Sequence, residues 1–121
     1  MTASKALMVG SAGNANSTVQ VSGSLAMTIT TVTANYTLAG TDNTVLANTT
    51  GGAFTITLPA PTNFPGRIYT IKKIGTGGID NALTIIPTSA TIDNGTSYII
   101  YNDWTYVTMQ TDGTNWYIIK K

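Results

Sequence analysis

Cysteine, histidine and glutamate are all absent from this chain, and only 9% of its 121 residues are charged. Without cysteine there is no disulfide framework and no thiolate metal site. Without histidine or glutamate, proton transfer at neutral pH would fall to pairs of aspartates whose environments push their pKa values apart. A net charge of +1 offers no electrostatic footprint for a phosphate backbone or an anionic membrane, so neither nucleic acid nor membrane is expected as a partner. Long apolar runs are missing too. Ala6-Leu7-Met8-Val9 is shorter than the core of about 7–15 residues that a signal peptide needs, so the chain reads as made in the cytoplasm with no signal peptide.

The acids present are Asp42, Asp80, Asp93, Asp103 and Asp112. Each lies in a turn-like setting of Asn, Gly and Thr, where a short polar side chain caps its own backbone. No catalytic residue is assigned among them. Asp112-Gly113-Thr114-Asn115 lacks the acidic density and terminal Glu of a calcium loop. Gly75-Thr76-Gly77-Gly78 is followed by neither a Lys-Ser/Thr pair nor a helical pattern, so it reads as a hairpin loop and not a phosphate cradle. No metal and no cofactor are expected.

Composition divides the chain near residue 35. The first 35 residues contain no aromatic and one charge, Lys5, whereas both Trp, all six Tyr and both Phe lie beyond. This predicts an N-terminal arm or β-hairpin of small residues over 1–34 and a cored β domain over 35–121. In the second region the apolar period is two: Phe54, Ile56 and Leu58 alternate with Thr55 and Thr57, which is the pattern of a half-buried strand. Further strands are predicted over 67–74, 82–86, 97–101, 104–110 and 115–119, separated by Pro-Gly, Gly-rich and Asp/Asn-Gly turns. Threonine is the commonest residue, and no apolar set recurs at helical spacing. The fold class is all-β, with the strand spacing of an antiparallel β-sandwich or barrel and not of a long solenoid.

Two strands joined by Gly23-Ser24 are expected in the arm, over 18–22 and 25–30. A lone two-stranded ribbon of small side chains is marginal in water and needs a surface to lean on. Leu7, Val9, Val19, Val21, Leu25, Met27 and Ile29 are the candidate anchoring and oligomer-contact residues. Lys72 and Lys73 suit an edge-strand guard. Tyr101, Trp104 and Tyr106 are the candidate carbohydrate contacts, since aromatic faces stack on sugar rings; Trp104 with Tyr106, and Trp116 with Ile118, also fit a core stripe at i, i+2. The Thr-X-Thr runs at Thr28 and Thr55 lack the constant repeat of an ice-binding face.

The segments Tyr36-Thr37-Leu38, Asn43 through Pro59, Pro65 through Ile74, and Asp112 through Ile119 together resemble a module of tailed-bacteriophage virion appendages, and Ser4 through Gly10 resembles their joining segments. The resemblance implies a homotrimeric, all-β, non-enzymatic structural protein located in the virion. Its expected partners are further copies of itself and the major capsid protein or another virion protein. At 121 residues the chain reads as a capsid-decoration or head-fibre protein. The alternative is a tail-fibre or receptor-binding domain that contacts host-surface glycan.

Overall fold

A computed structural model describes residues 20–63 and 65–121. Nine strands alternate along the chain: β1 (Ile29–Val32), β2 (Tyr36–Thr37), β3 (Thr44–Asn48), β4 (Phe54–Leu58), β5 (Ile68–Ile74), β6 (Leu83–Pro87), β7 (Tyr98–Ile100), β8 (Tyr106–Thr111) and β9 (Trp116–Lys120). They form a five-stranded sheet of order β1-β3-β5-β8-β9 and a four-stranded sheet of order β2-β4-β6-β7. The β1–β3, β3–β5, β2–β4 and β4–β6 ladders are parallel. The β5–β8, β6–β7 and β8–β9 ladders are antiparallel.

The all-β expectation holds; the antiparallel sandwich or barrel is corrected. Both sheets are mixed, and neither closes on itself. Successive strands from β1 to β6 alternate between the sheets, so the first two-thirds of the fold stacks as coils of two strands each. Antiparallel β7, β8 and β9 then cover one side of the stack. A period of two fixes which side chains face inward but carries no information about strand direction. Direction is set by connections that carry the chain across to the other sheet instead of reversing it.

Alternation fills the space between the sheets. Val45 and Ala47 of β3, Ile71 of β5, and Val107 and Met109 of β8 face Ile56 and Leu58 of β4, Leu83 and Ile85 of β6, and Ile100 of β7 across one apolar core. Each such side chain contributes roughly 1.5–3 kcal/mol on burial. Trp116 is fully buried beside Tyr69, with ring centroids 5.5 Å apart. The C-terminal strand is thus pinned by its first residue, while Tyr117 and Ile119 point outward. The outer faces carry threonine rows, Thr44–Thr70–Thr108 on one sheet and Thr55–Thr84 on the other. Thr70 and Thr108 share a hydroxyl hydrogen bond of 2.9 Å.

Three local expectations change. Residues 20–28 contain no strand, and the arm's strand is β1, which pairs in parallel with β3. Glycines 75–78 do not form a hairpin loop, because β5 and β6 belong to different sheets; the connection includes a 3-10 turn, Gly78–Asn81. Gly75 sits there at φ 104°, where a Cβ would run into Thr50 and Asn48. Finally, β5 is the middle strand of its sheet, so Lys72 and Lys73 guard no edge.

Candidate functional site

The ladder register gives the five-stranded sheet two distinct ends. Ile29, Thr44, Thr70 and Thr108 lie in one row, and Val32, Ala47 and Lys73 lie in another three residues further along, about 10 Å away at the usual strand rise. The arm enters at the first end. Trp104 stands beyond the second.

At the arm end, the Thr28 hydroxyl donates to the Thr41 carbonyl at 2.6 Å, and the Thr44 amide donates to the Thr28 carbonyl at 3.1 Å. These bonds anchor the point where the arm leaves the sheet. Ahead of it, Val21, Leu25, Met27 and Ile29 are all exposed, Leu25 by 69%. No charge occurs between Gln20 and Thr28. Among the described residues nothing covers these four candidate contact residues. Leu7, Val9 and Val19 lie outside the described residues.

Nearby turns are closed by aspartates. The Asp112 carboxylate accepts from the amides of Thr114 at 2.8 Å and Asn115 at 2.9 Å, and from the Tyr117 hydroxyl at 3.2 Å. Those backbone amides hold its pKa below the ordinary aspartate value, and the same carboxylate raises that of the Tyr117 phenol. Asp42 accepts from the Tyr36 hydroxyl and the Ala39 amide, each at 2.8 Å, which raises the Tyr36 pKa. Asp93 accepts from the Ile118 amide at 3.1 Å. Asp93 and Asn94 both adopt positive φ in a two-residue turn closed by paired Ile92–Gly95 hydrogen bonds. These carboxylates therefore serve as backbone acceptors.

The opposite end is organised around Lys73. Its side chain is fully buried, and its ammonium donates to the Asp103 carboxylate. Asp103 also accepts from the Gly78 amide at 3.1 Å. The lysine bond leads the causes that hold the Asp103 pKa below its ordinary value. Backbone bonds grip the same loop twice: the Lys73 amide donates to the Thr105 carbonyl, and the Trp104 amide donates to the Lys73 carbonyl, both at 2.9 Å. The Thr105 hydroxyl closes the turn on the Asn102 carbonyl at 2.7 Å.

Held this way, Trp104 has φ 64° and is 62% exposed. A bulky residue in the left-handed region is a true outlier, at a cost of roughly 1–3 kcal/mol. The core-stripe expectation is met for Trp116 and corrected for Trp104, because the i, i+2 argument assumes extended backbone and position 104 precedes the strand. Tyr101 and Tyr106 are exposed as well, so all three candidate carbohydrate contacts reach solvent on the connection between β7 and β8 and the start of β8.

A shallow cleft of about 300 Å³ adjoins them, lined by Tyr98, Tyr101, Asn102, Thr105, Tyr106 and Lys121 among others. The Lys121 ammonium lies 5.9 Å from the centre of the Tyr98 ring. Sequence reasoning missed the Lys73–Asp103 clamp and the place of Lys121 in this cleft. The first had one faint signal, a lysine at an inward position of an alternating strand. Among the described residues no group of three or more acidic, His or Cys side chains gathers as a metal site would need. The sequence matches no family model, and comparison with curated proteins gives no match.

Proposed function

We propose that this chain is a non-enzymatic structural protein of a bacteriophage virion, a homotrimeric capsid-decoration or head-fibre module. It grips the capsid surface through its arm and presents the opposite end outward. The observation that carries this reading is the uncharged arm segment with Val21, Leu25, Met27 and Ile29 exposed together. Apolar side chains grouped in this way mark a contact surface, and three copies around an axis would bury them at roughly 25 cal/mol per Å². The resemblance of the strand blocks to virion appendage modules supplies the particle.

The polarity of the sheet supports the same division of labour, since the arm and the aromatic loop sit at opposite ends of one rigid sheet. Native mass spectrometry of the purified chain, with copy number measured in purified particles, tests the reading. Trimers present in dozens of copies per particle are expected. A monomer at high concentration, with no particle carrying it, overturns the proposal.

A second reading, a tail-fibre or receptor-binding domain that meets host-surface carbohydrate, is favoured by Trp104. Its backbone is held in the left-handed region while its indole stands exposed, and strain of this kind is kept where the surroundings over-determine it. A glycan array blank at millimolar protein removes that reading and leaves the first untouched.

A further inference from the structure

We infer that the Trp104 end is a binding site for an acidic saccharide, with Trp104 as the stacking face and Lys121 and Lys72 as the groups that select the acid. This rests on the carbohydrate reading above and adds the class of sugar. The platform is built in advance. Lys73 and the 3-10 turn fix residues 103–105 through the ion pair with Asp103, the Gly78 amide and two backbone bonds, so the backbone that carries the indole is set before a sugar ring settles on it.

The chemistry of the cleft then decides which ring. The Lys121 ammonium is the one side-chain group of the cleft lining that can only donate; the Tyr98, Tyr101 and Tyr106 hydroxyls can donate or accept, the Thr105 hydroxyl already donates to the Asn102 carbonyl, and no aspartate lines the cleft. Lys72 sits directly across the ladder from Tyr106 on the same outer face, which adds a second cation to the rim. The aspartates of this end are occupied or displaced: Asp103 is paired with Lys73, and Asp80 stands on the 78–81 turn outside the cleft lining. The hydroxyls serve any sugar; two ammonium groups beside a cleft with no carboxylate in its lining favour a ring that carries its own.

The test compares methyl β-glucuronide with methyl β-glucoside, which differ only in a carboxylate against a hydroxymethyl group. Each is titrated into the full chain while the Trp104 indole N–H is followed by NMR. The glucuronide is expected to bind about tenfold more tightly, as one charge-assisted contact at a surface site supplies. Trp104→Gly, followed through the backbone amides of residues 101–106, should abolish both titrations while the unfolding midpoint does not fall. Lys72→Gln combined with Lys121→Gln should bring the two sugars to parity without weakening the glucoside. Equal binding of both sugars by the native chain overturns the acidic class and leaves the carbohydrate reading standing. No response of the indole to either sugar overturns both.

Discussion

The two ends of the five-stranded sheet solve opposite problems. At the arm end, apolar side chains stand exposed with no cover among the described residues, and the nearby aspartates merely close turns. At the aromatic end, a lysine is buried to the last atom in order to hold a loop whose tryptophan is exposed. One end exposes apolar surface and has little internal structure among the described residues. The other has internal structure committed to shaping a small surface. The first suits broad, non-directional contact with protein, and the second suits a ligand that must meet a fixed geometry.

This contrast can be sharpened by substitution. The largest loss should come from the shared core: Ile71→Ala is expected to cost about 2–5 kcal/mol in chemical denaturation, whereas Leu25→Ala in the arm should cost less than about 0.5 kcal/mol of fold stability. Leu25→Glu should nevertheless dissociate the proposed trimer in analytical ultracentrifugation. A large stability loss at Leu25 would mean that the arm belongs to the domain's own core.

Next comes the clamp. Asp103→Asn leaves the buried Lys73 ammonium without its counter-charge and should lower the thermal midpoint more than Asp112→Asn at the arm end. The pH dependence follows from the same pair of carboxylates. Both have folded-state pKa values depressed below the ordinary 3.8, so the folded state binds fewer protons than the unfolded chain. Their stabilisation is complete above that value and is lost as pH falls through the lower folded values. Thermal melts between neutral pH and pH 2 should show the drop, and Asp103→Asn should flatten it.

Trp104→Gly should be neutral or stabilising by up to about 1 kcal/mol, since glycine accepts the left-handed conformation without strain. The smallest effect is expected at Tyr117→Phe, which removes one exposed hydroxyl bond to Asp112 and should change stability by less than about 0.5 kcal/mol.

Much of the body was legible because β4 and β5 through β9 alternate cleanly and end at Pro, Gly or Asp-Asn turns. β3 was harder: Thr44-Val45-Leu46-Ala47-Asn48 is short and ends in small or polar residues, and its strand character comes from neighbours on both sides. The arm shows the converse. Residues 25–28 alternate as a strand should, yet no neighbour among the described residues offers a ladder. At the candidate site, Trp104 and its tyrosines could be named from residue type alone. Their exposure could not, because it depends on the backbone angle at 104 and on Lys73, thirty-one positions away in sequence.

The alternation of β1 to β6 between two sheets has one more consequence. Among the described residues β1 pairs only with β3, and the antiparallel strands sit at the far side of the stack. A further pair of strands inserted ahead of β1 would extend the stack without disturbing Trp116 or the loop at 104. The height of such a protein would grow in increments of one inter-strand spacing, about 4.8 Å. The stack's height could then change independently of the geometry of the loop at 104.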